Sequence, residues 1–325
     1  MVLRKPLDGR AAAEIMYGQG IKSKGVKNMS KSKLKAVAPK AAEPSKPKIL
    51  IFGKPGVGKT WTSLDFPACY YIDTEGGADM SHYTDKLQAS GGAYLGLEQD
   101  SLDFTVVLDQ VKALATEKHN YKTVVIDSIT KIFNNEIARE ADRLGSNNAF
   151  GADKKPAVSL MRQLTSWIQR LDMNVILIAH EKPLWGKDEK GQRAEIGVTF
   201  DAWDKLEYEL HLALNIIKTG NVRRAIIKKS RLTGFPDAEN FAWAYEDFAI
   251  RYGKDVMEKD TKQLILATEE QLAELDKLFK KATLPEGIKD KWFTAANVSS
   301  FEEMDCDKVA SIVTLINNKY LPKGD

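Results

Sequence analysis

The feature that most constrains this chain is a short apolar run, KILIF (48–52), that feeds straight into a glycine-rich loop, GKPGVGKT (53–60). The loop fits G-x-x-x-x-G-K-[ST] at every fixed position. Glycines there let backbone N–H groups turn inward onto an anion. The Lys59 ammonium reaches the outer phosphates of a nucleotide, and the Thr60 hydroxyl is a hard oxygen ligand for magnesium. A buried strand ahead of the loop and helix-forming sequence behind it supply the context this chemistry needs. The candidate nucleotide-binding positions are Gly53, Lys54, Pro55, Gly56, Val57, Gly58, Lys59, Thr60 and Trp61, with ATP and Mg2+ as cofactors.

Three further apolar runs share the character of the first: ACYYID (68–73), KTVVID (122–127) and NVILIAH (174–180). Helical stretches separate them, including DQVKALATEKH (109–119) and a stripe of Val158, Met161, Leu164, Ile168 and Leu171. Strands alternating with helices predict an α/β domain with a parallel sheet. After residue 200, Leu210, Leu212, Leu214 and Ile216 alternate, Thr219-Gly220-Asn221 turns the chain and a second β-rich run follows, which predicts antiparallel strands added at the sheet edge. From 263 the pattern is helical. Thr268 with Gln271 and Ser300 with Glu303 have capping-box spacing. Leu272, Leu275 and Phe279 form one apolar stripe; Val309, Ile312, Val313 and Ile316 form another.

Charge divides the chain unevenly. Residues 1–47 carry eleven Lys/Arg against Asp8, Glu14 and Glu43, while the rest is mildly acidic. Such a tail is either an arm for polyanions or a solubilising leader. Met29 opens MSKSKLK, so residues 1–28 can be read as an upstream extension. No apolar run approaches the roughly 20 residues needed to span a bilayer. Cys69 and Cys306 lack metal-ligand spacing, so a cytoplasmic protein with two free thiols and no membrane partner is expected. The expected organisation is a basic tail at 1–47, an ATPase core at 48–262 and a helical module at 263–325.

KTVVIDSIT ends its strand at Asp127, where a carboxylate can join the magnesium shell beside Thr60, with Ser128 next to it. YYIDTEGGADMSHYTDKL (70–87) carries the distinguishing feature: Glu75 lies just past a strand and before a small-residue turn. The segments GKPGVGKT, IDTEGG, VVIDSIT and LIAHEK, in that order across 48–262, resemble the RecA-like P-loop ATPases. They are most similar to the phage-type, core-only members that act as single-strand annealing recombination proteins. AAA+ ATPases would put the glutamate beside Asp127, where this chain has Ser128. The resemblance implies that Glu75 activates the attacking water and that His180, at the end of the fourth strand, senses the terminal phosphate. It further implies that Lys229 and Arg231 of IIKKSR (226–231) reach a neighbouring subunit's ATP in a homo-oligomeric ring or filament.

The same resemblance implies single-stranded DNA as partner, bound by loops at 145–157 and 181–200, with a single-stranded DNA-binding protein as a further partner. Both loops combine glycine and bases with an aromatic: Phe150 with Lys154 and Lys155, and Trp185 with Lys182, Lys187, Lys190 and Arg193. Phosphate neutralisation with base stacking is how sequence-blind single-strand binders work. The alternative function is a nucleotide-switched assembly or regulatory ATPase without a DNA role. A helicase motor fits less well, since no further DNA-engaging domain is visible, and a nucleotide kinase is disfavoured by the lack of an Arg-rich lid.

Overall fold

The computed structural model describes residues 44–78, 80–148 and 151–321. Among these described residues nine strands form one sheet: β1 (Lys48–Gly53), β2 (Cys69–Asp73), β3 (Ala93–Leu95), β4 (Thr123–Asp127), β5 (Asn174–Lys187), β6 (Arg193–Asp201), β7 (Leu212–Thr219), β8 (Val222–Ser230) and β9 (Asn240–Ala242). Their order is β3-β2-β4-β5-β1-β7-β8-β9, and β6 pairs with β5 off this path. Pairing is parallel from β3 to β7 and antiparallel for β6, β8 and β9. This is the mainly parallel, helix-flanked α/β architecture with antiparallel edge strands that the sequence predicts.

The central strands are apolar almost throughout because helices cover both faces of the sheet. Alternate residues go to opposite cores. Leu50, Phe52, Val124, Ile126, Val175 and Leu177 pack with helices Phe104–Thr116, Ile129–Leu144 and Lys154–Arg170. Ile49, Ile51, Tyr71, Val125, Ile176 and Ile178 pack against Leu64, Phe66, Leu87 and the helix Tyr245–Tyr252. A third cluster is built from C-terminal residues alone, with Leu275, Val309, Ile312 and Ile316 at its centre. Thr268 and Gln271 form the expected capping box at helix Glu269–Lys281. Arg170 Nη2 ties this region to the core by donating to Glu303 O (2.7 Å) and Asp305 Oδ1 (3.0 Å).

Several expectations need correction. β7 joins the sheet parallel to β1, so of the strands after residue 201 only β8 and β9 are antiparallel additions. The segment 181–200 is a hairpin rather than a loop: β5 runs on past its buried half to Lys187, and β6 returns beside it. Lys154 and Lys155 open a helix, and Phe150 lies outside the described residues, as does the tail up to residue 43. No helix starts at Ser300; Glu303 accepts from Ser299 N, and the last helix starts at Cys306 after Asp305. The helix placed at 109–119 spans Phe104–Thr116, because Asp103 caps it by accepting from Thr105 N.

Candidate active site

Parallel pairing in register brings the carboxyl ends of β1, β2, β4 and β5 to one edge. Gly53 lies opposite His180, and Asp73 lies opposite Asp127. A cleft of about 470 Å³ opens there, lined by Gly53, Pro55, Gly56, Gly58, Lys59, Thr60 and Trp61 of the loop and by Glu75, Asp127 and His180. Of the expected nucleotide contacts, Lys54 is exposed outside the cleft and Val57 packs into the core beneath it. The loop's tight path explains its glycines. A Cβ on Gly53 would overlap Ile216 O, and Gly58 sits at φ 89°, in the left-handed region.

Lys59 Nζ folds back onto its own loop, donating to Gly53 O (2.7 Å) and Lys54 O (3.0 Å). Burial lowers its pKa, against the attraction of Asp127, Glu75 and Glu181. Thr60 Oγ1 donates to Asp127 Oδ2 at 2.5 Å. A hydroxyl and a carboxylate thus meet beside the phosphate loop, the oxygen chemistry a hard divalent cation takes. The Asp127 carboxyl is pushed up to about 6, by burial first and also by the nearby Glu75 and Asp73.

Glu75 and His180 arrive from different strands and meet, with Oε1 2.5 Å from Nε2. Burial works against the Glu75 carboxylate, but hydrogen bonds with Ser128 and His180 outweigh it and hold its pKa below the ordinary value. The turn carrying Glu75 is built by Asp73, whose Oδ1 accepts from Glu75 N (2.9 Å) and Gly76 N (3.1 Å) and whose Oδ2 accepts from Ala78 N (2.7 Å). Thr74 N donates to Asp127 O at 2.7 Å, and Ser128 N donates to Thr74 Oγ1 at 2.7 Å. Ser128 also caps helix Ile129–Leu144 by accepting from Lys131 N. An ionised carboxylate oriented by an imidazole beside a phosphate loop can position and polarise a water for attack on a terminal phosphate.

Sequence reasoning missed three residues here. Asp73 was read only as a strand end, though an Asp before T-E-G-G is an Asx-turn signal. Glu181 lines the cleft and is held by Asn215 Nδ2 at 3.0 Å; its place beside His180 was the available clue. Tyr83 lines the wall next to Trp61, with the two ring centroids 6.4 Å apart. Lys229 and Arg231 are not brought to this cleft. They lie at the other end of the sheet, where Lys229 Nζ donates to Leu210 O and Arg231 Nη2 to Tyr208 O.

Asp127 carries a consequence for stability. Its pKa of about 6 in the fold exceeds the unfolded value of about 3.9. Its stabilising contribution is therefore full below about pH 4 and is lost as pH rises through about 6. Asp127→Asn should raise the unfolding free energy of the nucleotide-free protein at pH 8 by on the order of 2–3 kcal/mol. The gap should close toward pH 4, as calorimetry at both pH values checks. A wild type more stable than the variant at pH 8 would contradict the burial cost assigned to this carboxylate.

Comparison with known proteins agrees with this geometry at the level of family. The AAA domain model matches residues 45–236, more than half of the chain. No curated protein matches. Among solved structures, the RadB recombinase is 16% identical with a TM-score of 0.38, over 61% of this chain and 87% of that one. A prototypical ATPase from the type III secretion system of pathogenic bacteria is 15% identical with a TM-score of 0.35, over 84% and 81%. The sequence reading sets the AAA+ arrangement aside because Ser128 follows Asp127. The family bears the AAA name all the same, while the glutamate beside the phosphate loop comes from the end of β2. The chain belongs to the AAA domain family and is a P-loop ATPase.

Proposed function

We propose that this ATPase hydrolyses ATP with magnesium at the cleft and couples turnover to single-stranded DNA, in homologous recombination or strand annealing of the phage type. The observation that carries the hydrolytic part is the Glu75–His180 contact at the mouth of the phosphate loop. Lys59 and the loop's backbone N–H groups bind the β- and γ-phosphates, Glu75 orients the attacking water, and His180 can divide its hydrogen bond between Glu75 and the terminal phosphate. Thr60 and Asp127 are the residues that would hold magnesium, which when bound neutralises charge on the phosphates.

The DNA part rests on the hairpin of β5 and β6. It continues directly from His180 and Glu181 and leaves Trp185 54% exposed, with Arg193 5.0 Å from its ring centroid. Lys187, Lys190 and Arg193 supply positive charge along the same arm, while Lys182 at its base pairs with Asp201 (3.4 Å) and Asp204 (3.6 Å). An aromatic platform flanked by bases suits a single strand, and a strand shared with the ATP site gives nucleotide state a route to it. In this reading the protein is a homo-oligomer, and Lys229 and Arg231 act on a neighbour's ATP. Their position at the far end of the sheet from their own phosphate loop favours that role over one in cis. The basic tail is a further proposed contact with the DNA, and a single-stranded DNA-binding protein is a further proposed partner.

ATP binding and turnover, each measured with and without single-stranded DNA, test the proposal. Lys59→Ala should abolish binding, whereas Glu75→Gln should bind ATP and lose turnover, because only the water-orienting group is gone. DNA should stimulate the wild type, and DNA affinity should fall with salt. Trp185→Ala should weaken DNA binding by roughly 1–3 kcal/mol while leaving DNA-free turnover intact. Equal loss of ATP affinity in Glu75→Gln and Lys59→Ala would remove Glu75 from the chemistry. Turnover indifferent to DNA would favour the alternative of a nucleotide-switched assembly or regulatory ATPase.

A further inference from the structure

The start of β8 is the second place where a cation meets the phosphate loop. The turn at Gly220 lies at the same end of the sheet as Gly53, because β7 runs parallel to β1 and β8 doubles back along β7, with Arg223 opposite Lys218. Arg223 therefore approaches the loop, while Lys229 and Arg231, farther along the same strand, are carried to the opposite end. The Arg223 side chain lies flat against Gly58. A Cβ on that glycine would overlap Nε and come within 2.8 Å of Cδ and 2.9 Å of Cζ.

Among the described residues the half-buried Arg223 side chain pairs with no carboxylate, and its Nε is buried without a hydrogen bond. The contrast with its neighbours is sharp: Arg224 is bonded to Asn240 Oδ1, and Arg231 to Tyr208 O. Arginine stays charged at any pH a protein survives, so the charge cannot be relieved by losing a proton. It sits one residue from Lys59, whose own ammonium is bonded only to loop carbonyls. Two cations beside one loop, neither ion-paired among the described residues, form an arrangement that a polyanion in the loop would balance.

We propose that Arg223 is a positioning residue for the nucleotide's phosphate chain, supplying positive charge in cis across Gly58. The inference rests on the reading of 53–60 as a nucleotide site and adds to it a discriminator: the charge favours di- and triphosphates over a monophosphate. It also gives Gly58 a second task beside its left-handed backbone, since any side chain there would push the guanidinium away.

Charge and shape are separated by Arg223→Gln, which shortens the side chain and removes the charge, and Arg223→Lys, which keeps it. Binding of AMP, ADP and ATP is measured by calorimetry, with melting of the nucleotide-free and ADP-bound forms. Arg223→Gln should bind ADP and ATP about tenfold more weakly, with AMP much less affected, and Arg223→Lys should recover most of the loss. In turnover the defect should fall on KM more than on kcat. The nucleotide-free Arg223→Gln protein should melt no lower than wild type, because an unpartnered charge has been removed, while its gain on adding ADP shrinks. A merely structural arginine would lower the nucleotide-free melting temperature and leave the ratio of ADP to AMP affinity unchanged, and that result would overturn the inference. If Arg223→Gln fails to fold, Arg223→Lys alone decides: wild-type discrimination supports a role for charge, and lost discrimination contradicts it. Wild-type protein that binds no nucleotide would overturn the site reading and this inference together, whereas normal wild-type binding with an unaltered Arg223→Gln overturns this inference alone.

Discussion

Parallel pairing of β1 with β5, flanked by β4 and β7, is the constraint on which the rest of the structure depends. Because these strands run the same way, their carboxyl ends share one edge, and four loops open there within reach of one another. Burial on both faces fixes the register: moving β1 by one residue would exchange Ile49 and Ile51 for Leu50 and Phe52 between two packed cores. That register sets Gly53 beside His180 and Asp73 beside Asp127, so the site's geometry follows from apolar packing several residues away.

The site itself concentrates polar strain at the edge of a well-packed sheet. Asp73 is committed to backbone N–H groups and Glu181 to Asn215, which leaves Glu75, Asp127 and Lys59 as the groups with chemistry to offer. Burial raises the Asp127 pKa to about 6 and lowers that of Lys59, so both ions are less comfortable than in water. A nucleotide and its cation would reverse both effects, giving the carboxylate a positive partner and the ammonium a negative one. Sites of this kind trade stability for readiness to bind.

How much of this was legible in the sequence depended on whether the signal was local. The phosphate loop, the strand ending in Asp127 and the Thr268 capping box are short patterns whose geometry follows from adjacent residues, and each stands where expected. The direction of β7 was not legible, because alternation of Leu212, Leu214 and Ile216 says which face is buried and nothing about which way a neighbour runs. The β5–β6 hairpin was hidden for a related reason. Past His180 the strand leaves the core and carries Pro183 and exposed Leu184 and Trp185 among charged residues, so no buried face marks it although the backbone pairing continues. Tyr83 joins the cleft through contacts between segments distant in sequence, which no local pattern encodes.

The most direct test of the account is a structure of the protein with magnesium and a non-hydrolysable ATP analogue. The account predicts that Lys59 Nζ gives up the carbonyl oxygens of Gly53 and Lys54 for phosphate oxygens, that Thr60 and Asp127 part around the cation, and that Glu75 faces the terminal phosphate. An analogue bound elsewhere, or one seated in the loop with Lys59 still on those carbonyls and Glu75 turned away, would contradict it.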